Sequence, residues 1–214
     1  LIIKNSNMTG GRASSFGGAV YNFSNSLFSA DQLQAQNNIA TDGAAIYSEN
    51  TSAFITNSSF TNNTATNAQG IVSFGNKTPI FVGGNIPSIE NSTFSGNTGT
   101  AISSRSTMIL KNLTVVLNTN GLNFNNESPL LYNSIIASNV QQDCINLGAI
   151  PNDTSTYIAF NIYQTGCELT PTLAAIETNN PRNVKLPLTE KIIADTDING
   201  KDTGRKCALP PAKG

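Results

Sequence analysis

From Gly43 to Thr64 the chain reads GAAIYSENTSAFITNSSFTNNT. A small-residue opening, Gly43-Ala44-Ala45-Ile46-Tyr47, leads to a polar corner and then to an alternating segment, Ala53-Phe54-Ile55-Thr56-Asn57. A second apolar touch at Phe60 is closed by Asn62-Asn63. Alternation over four or five residues bounded by Gly, Asn and Ser is the pattern of a short half-buried strand. Two such segments and a corner within about 22 residues make one turn of a coil, and related turns lie on both sides.

The recurring unit is an alternating segment, then Asn-Ser or a near relative, then an apolar residue. It appears as Ile3-Lys4-Asn5-Ser6-Asn7-Met8, Ile55-Thr56-Asn57-Ser58-Ser59-Phe60, Ile89-Glu90-Asn91-Ser92-Thr93-Phe94, Leu110-Lys111-Asn112-Leu113-Thr114-Val115 and Leu131-Tyr132-Asn133-Ser134-Ile135-Ile136. A degenerate copy, Phe28-Ser29-Ala30-Asp31-Gln32-Leu33, is read with Ala30 in the Asn place. Anchors at 5, 30, 57, 91, 112 and 133 are 25, 27, 34, 21 and 21 residues apart, the longest gap holding an insertion near 77–87. Between anchors lie Gly17-Gly18-Ala19-Val20-Tyr21, Gly43-Ala44-Ala45-Ile46-Tyr47, Gly70-Ile71-Val72, Thr100-Ala101-Ile102 and Gly121-Leu122. Hairpins of a β-sandwich would place turns every 8 to 12 residues. Whole units recurring at 20 to 30 residues indicate strands stacked rung on rung. The expectation is an all-β fold, a right-handed parallel β-helix (solenoid) over 1–140, with Ile55, Ile89, Leu110 and Leu131 in one column.

The chain holds 30 Asn. A bend in a stacked coil strands backbone N–H and C=O groups, and an Asn amide supplies both donors and an acceptor. Stacked one per rung, such amides bond to one another. Asn5, Asn57, Asn91, Asn112 and Asn133 are the expected ladder.

Gly17-Gly-Ala-Val20, Gly43-Ala-Ala-Ile46, Phe60-Thr-Asn-Asn63 and Phe94-Ser-Gly-Asn97 resemble the GGA(I/L/V) and FxxN motifs of chlamydial polymorphic outer-membrane proteins. Residues 1–140 resemble bacterial right-handed parallel β-helix repeat proteins more broadly. Residues 130–207 resemble a choice-of-anchor Q type C-terminal region, through Asn133-Ser-Ile-Ile-Ala-Ser-Asn139, then Cys144 and Cys167, then Thr196-Asp-Ile-Asn-Gly200. The Asp-Ile-Gly-Ala-Tyr-Glu ending of that region is not present in this sequence. The resemblance implies an extracellular or cell-surface protein. In that setting a small-cored C-terminal part is expected to carry a Cys144–Cys167 disulfide, leaving Cys207 odd; three buried thiols are the alternative.

Composition changes near residue 140. Residues 1–140 carry 5 basic and 5 acidic residues, whereas 141–214 carry 7 and 8 together with six prolines. The last rung of a solenoid needs its open edge covered, so 141–214 is expected to be an irregular C-terminal cap with a helical turn near 172–178. The other end starts in mid-rung at Leu1-Ile2-Ile3 with no charged-then-apolar leader, which implies a piece of a longer chain or an end that docks on something.

Chemistry is limited by what the chain lacks. There is no His, which removes His-based triads, metal ligands and general bases. Three Cys without CxxC spacing do not form a zinc site, and Gly83-Gly84 has no Walker lysine. Asp195, Asp197, Asn199 and Asp202 lack the closing Glu of a calcium loop and read as a solvated loop. No cofactor or metal is expected. A net charge of -1 and 12% charged residues give no footprint for nucleic acid, and no apolar run is long enough for a membrane-spanning helix. Sequons at Asn7, Asn22, Asn50, Asn57, Asn62, Asn76, Asn91, Asn112, Asn126 and Asn152 are in only mild excess over chance, and of these Asn7, Asn22, Asn50, Asn76, Asn126 and Asn152 are the candidate glycosylation sites.

The function expected is structural or adhesive: a secreted or cell-surface stalk, passenger domain or assembly subunit without catalytic activity. Its partner would be a glycan, a protein surface or neighbouring copies. The rival is a polysaccharide lyase or glycoside hydrolase, which needs clustered carboxylates. Asp31, Asp42, Glu49, Glu90 and Glu127 are scattered about one per rung. Asp42 is the acid to check, with Glu49 and Arg12 as expected neighbours.

Overall fold

The computed structural model describes residues 1–23, 27–49, 53–67, 70–75, 86–125, 127, 129–148, 158–159, 162–163, 167 and 184–185. Among these every regular element is a β-strand. The first coil holds β1 (Ile2–Thr9) and β2 (Val20–Phe23), and the second β3 (Phe28–Gln36), β4 (Ile39–Ala40) and β5 (Ile46–Glu49). The third holds β6 (Ala53–Thr56), β7 (Ser59–Thr61), β8 (Thr64–Ala65) and β9 (Gly70–Phe74). Then come β10 (Ser88–Glu90), β11 (Thr93–Ser95) and β12 (Thr100–Ser104), followed by β13 (Ile109–Lys111), β14 (Thr114–Val116) and β15 (Asn120–Asn123). The last full coil is β16 (Leu130–Tyr132), β17 (Ile135–Ala137) and β18 (Gln142–Ile145), with short strands β19 (Ile158–Ala159), β20 (Ile162–Tyr163) and β21 (Val184–Lys185) beyond.

Every pairing is parallel and joins one coil to the next. β3 turns a corner without breaking: its first half pairs with β6 and its second with β7. One 13-stranded sheet therefore wraps two faces of the coil. A six-stranded sheet, β18-β15-β12-β9-β5-β2, forms the third face. The protein is a parallel β-solenoid.

Inward side chains stack in columns. On the first face Ile3, Ala30, Ile55, Ile89, Leu110 and Leu131 lie in register, which is the expected column extended at its start. On the second, Met8, Ala35, Phe60, Phe94, Val115 and Ile136 follow one another. The Phe60 and Phe94 rings stack there at 4.6 Å between centroids. The third face contributes Val20, Ile46, Val72, Ile102, Leu122 and Cys144. Burial along these columns is nearly complete, so each coil covers the apolar edge of its neighbour.

Left-handed backbone makes the corner between the first two faces. Asn5, Gln32, Asn57, Asn91, Asn112 and Asn133 have φ between 47° and 55°. Register corrects the reading of the degenerate copy: Ala30 pairs with Ile3 and Ile55 in the core column, so Gln32 occupies the Asn place. The anchor intervals over those coils become 27 and 25 rather than 25 and 27. Most of the expected cap, including 172–178, Cys207 and the acids at 195, 197 and 202, lies outside the described residues.

Candidate functional site: two amide ladders and an aromatic corner

Each Asn-Ser corner divides its labour. The Asn adopts the left-handed turn, which Asn tolerates better than other side-chain-bearing residues. After Asn57, Asn91 and Asn133 the following Ser turns inward and its hydroxyl bridges coils. Ser58 Oγ accepts from Leu33 N (3.1 Å), Ser92 Oγ from Ser58 N (3.1 Å) and Ser134 Oγ from Leu113 N (3.1 Å).

At the surface the Asn amides form a one-way chain. Asn133 Nδ2 donates to Asn112 Oδ1 (2.8 Å), Asn112 to Asn91 (2.7 Å) and Asn91 to Asn57 (3.2 Å). Asn57 Nδ2 then donates to Asp31 Oδ1 (2.8 Å), which also accepts from the Thr56 hydroxyl (2.7 Å). These two bonds, Thr56 first, hold the Asp31 carboxyl below its ordinary value. Asn5 shares the left-handed turn but not the amide chain, because Gln32 stands in the intervening coil. Four of the five expected ladder residues are thus joined.

A second ladder, not expected from the sequence, runs inside the next corner. Asn38 Nδ2 donates to Asn63 Oδ1 (2.9 Å), Asn63 to Asn97 (3.2 Å), Asn97 to Asn118 (2.7 Å) and Asn118 to Asn139 (3.0 Å). Each of these carbonyl oxygens also accepts the backbone N–H one coil back, from Asn38, Asn63, Asn97 and Asn118 respectively. Every amide further donates to a strand carbonyl, that of Met8, Ala35, Phe60, Phe94 or Val115 in turn. Asn38, Asn63, Asn97 and Asn118 are buried. The problem assigned to the first ladder, satisfying a buried bend, is solved mainly by this one. Its signal was present as an apolar residue followed three later by Asn, as in Phe60-Thr-Asn-Asn63.

In both ladders the amides are engaged by one another along the stack. The surface feature that is not consumed by the stack is at the entry to the third face. Gly17 and Gly43 take left-handed φ of 66° and 62° there. A Cβ on Gly18 would strike the Ala44 carbonyl oxygen, which explains why small residues recur at this turn. Past the turn, strand alternation sends Val20 and Asn22 inward and Tyr21 and Phe23 outward. Phe16 lies 4.4 Å from Tyr47 and 6.1 Å from Tyr21 by ring centroids, and Tyr21 lies 6.4 Å from Phe23. The Tyr47 ring reaches over Gly75, where any side chain would meet its hydroxyl.

Asp42 sits beside this group, half-buried. Its Oδ1 accepts from Gly43 N (2.8 Å) and, one coil on, from Gly70 N (3.1 Å). Desolvation raises its carboxyl above the ordinary value, against the opposing hydrogen bonds of Ser73, Gly43 and Gly70. The cation acting on Asp42 is Arg105. Arg12, named with Glu49 from the sequence, bridges Ile39 through its backbone. Burial, then Glu49 and Asp42, push the Tyr47 phenol up to about 12, so it stays a hydrogen-bond donor at neutral pH.

The remaining expected residues fall as follows. Cys144 and Cys167 are joined by a disulfide, both buried. Among the sequons, Asn7 and Asn62 are exposed, while Asn22 is buried and its amide faces Ser48 Oγ at 3.4 Å. Asn57, Asn91 and Asn112 have their amides in the surface ladder. Asn50, Asn76, Asn126 and Asn152 lie outside the described residues. Among the described residues no helix is long and apolar enough to cross a membrane, and no three His, Cys, Asp or Glu come together in a group that could hold a metal ion. No family model matches the chain, and neither a curated protein nor a solved structure does.

Proposed function

We propose that this chain is a secreted or cell-surface β-solenoid that works by presenting its faces, as a stalk, passenger domain or subunit of an extracellular assembly, without catalysis of its own. The observation that carries the reading is where the acids go. Asp31 terminates the surface ladder, Asp42 ties Gly43 to Gly70, and Asp143 accepts from Asn139 at the end of the buried ladder. Carboxylates spent on holding coils together are poorly placed to accept and return protons. The Cys144–Cys167 disulfide supports an oxidising compartment.

The competing reading, a polysaccharide lyase or hydrolase, would have to be built on Asp42 with its raised carboxyl and Arg105 nearby. Purified chain incubated with pectic, alginate and glycosaminoglycan polymers, with and without calcium, separates the two. The expected outcome is no product release. Release that disappears in Asp42→Asn would replace the surface reading with the enzymatic one.

A further inference from the structure

We infer that the corner made by Phe16, Tyr21, Phe23 and Tyr47 is a binding platform for a neutral polysaccharide chain. The inference rests on the surface-presenting reading and names what that surface holds.

Three of these rings are in solvent: Phe16 is 43% exposed, Tyr21 53% and Phe23 61%. They are the exposed aromatic residues among those described, and they touch. Single exposed apolar residues need no explanation, whereas a contiguous aromatic patch marks a contact surface. The patch is also braced. Buried Tyr47 packs under Phe16 and beside Tyr21, so the rings are held before any partner arrives.

Size selects the occupant. Aromatic side chains bury about 150–250 Å² each, so these three offer on the order of 300 Å². A stable protein interface needs about 800 Å² on each side. The patch falls well short of what a second copy or a protein partner requires, but it suits a narrow chain laid across it. Shape agrees: Tyr21 lies within 23° of the Phe16 plane and within 27° of the Phe23 plane, at centroid spacings of 6.1 and 6.4 Å. Near-parallel rings at that spacing form a short apolar ridge against which the C–H sides of pyranose rings can pack. The Tyr21 phenol lies within the patch and Glu49 pairs in register with Phe23, so a phenol and a carboxylate beside the rings can exchange hydrogen bonds with sugar hydroxyls. Charge argues for a neutral polymer. Arg105 stands against Asp42 and Glu49, whose fields all reach Tyr47, so the corner has no cationic excess to hold a polyanion.

The test is affinity electrophoresis of the purified chain through gels containing a soluble β-glucan, xyloglucan, galactomannan or dextran, with pectate and alginate as acidic comparisons. Tyr21→Ala and Phe23→Ala remove exposed rings, and Val140→Ala removes an exposed apolar residue far from the corner; thermal midpoints verify folding. Retardation by at least one neutral polymer is expected, weakened about fivefold or more by either ring variant and unchanged by Val140→Ala. No retardation by any neutral polymer, retardation by acidic polymers alone, or retardation indifferent to the ring variants overturns the proposal. Self-association in sedimentation that the ring variants abolish also overturns it, because the rings would then join copies. Binding accompanied by product release would remove the non-catalytic reading and leave the platform standing, while absent binding without release removes only the platform.

Discussion

Asn139 donates through Nδ2 to the carboxylate of Asp143 at 2.8 Å, and Asp143 thereby ends a chain of five amides that begins at Asn38. The surface ladder runs the opposite way, from Asn133 back to Asn57, and it too ends on a carboxylate, that of Asp31. In each ladder the terminal acceptor is a carboxyl oxygen rather than another amide. Charge-assisted bonds are stronger than neutral ones, and a hydrogen-bonded chain polarises toward its end. The fold thus holds two antiparallel amide chains along one axis, each anchored at its accepting end.

The two ladders differ in what breaking them costs. Asn97→Ala removes the acceptor for both Asn63 N and Asn63 Nδ2 and the donor to Phe60 O and Asn118 Oδ1, all buried. Orphaned buried groups cost about 1–3 kcal/mol each, so a loss of about 3–5 kcal/mol is expected. Asn91→Ala loses solvent-accessible bonds and a tolerated left-handed turn, a loss of about 1–2 kcal/mol, and Asn91→Gly recovers part of it. Urea unfolding of the three variants checks the order. Equal losses at Asn97 and Asn91 would contradict it.

Asp31 and Asp42 should respond oppositely to acid. Hydrogen bonds from Thr56 and Asn57 lower the Asp31 carboxyl, so its stabilisation is present above the unfolded value near 3.8 and is lost as pH falls through the lower folded value. Burial raises Asp42, so the folded state takes up its proton first. Asp42 therefore favours the fold at pH below about 3.8, and this contribution disappears as pH rises through the raised folded value. Asp31→Asn should reduce acid sensitivity below the unfolded value. Asp42→Asn, which keeps an acceptor for Gly43 and Gly70, should flatten the profile just above it. Thermal midpoints against pH for both variants measure the two slopes, and slopes of the same sign would refute the assignment.

Leu117 holds φ at 60° in the corner whose equivalents are Asn37, Asn62, Gly96 and Ser138. The position is set by stacking, since the following Asn118 must enter the buried ladder. A Leu in this region costs about 1–2 kcal/mol that Asn or Gly largely avoids. Its side chain is 48% exposed, so little packing is lost on replacement. Leu117→Asn should raise stability by about 1 kcal/mol, read as a higher urea midpoint with an unchanged slope. A lower midpoint would mean that the side chain contributes packing beyond what its exposure indicates.

Much of this architecture is legible in the sequence because apolar alternation and the Asn-Ser corner recur in phase. The column through Ile55, Ile89, Leu110 and Leu131 follows directly from that phase. The second coil misleads because the corner selects a backbone conformation, not a residue: Gln32 satisfies the left-handed turn, and the eye is drawn to the wrong neighbour, Ala30. The buried ladder hides for a related reason. Asn62-Asn63 offers two amides, one exposed at a left-handed turn and one buried, and only the stacking of coils says which is which. The aromatic corner depends on Phe16, which lies before the Gly17 turn and meets Tyr47 only across coils, so no local period announces it.

The disulfide acts where the stack is shortest of neighbours. Cys144 continues the third-face column after Leu122, and Cys167 closes on it from 23 residues further along. Among the described residues β18 is the last strand of that face, with no following strand in the six-stranded sheet. Closing a loop of this length restricts the unfolded chain by about 3 kcal/mol in the chain-entropy treatment. Because solenoid coils lean chiefly on their neighbours, that contribution should be felt first at the end coil rather than evenly. Reduction, or Cys167→Ala, which leaves Cys144 in its column, should therefore expose the backbone amides of β18 and β15 to hydrogen exchange before those of β5 and β9. The global urea midpoint should fall less than a loss of about 3 kcal/mol would produce. Uniform loss of protection across all coils would show instead that the solenoid unfolds as one unit and that the bridge stabilises it as a whole.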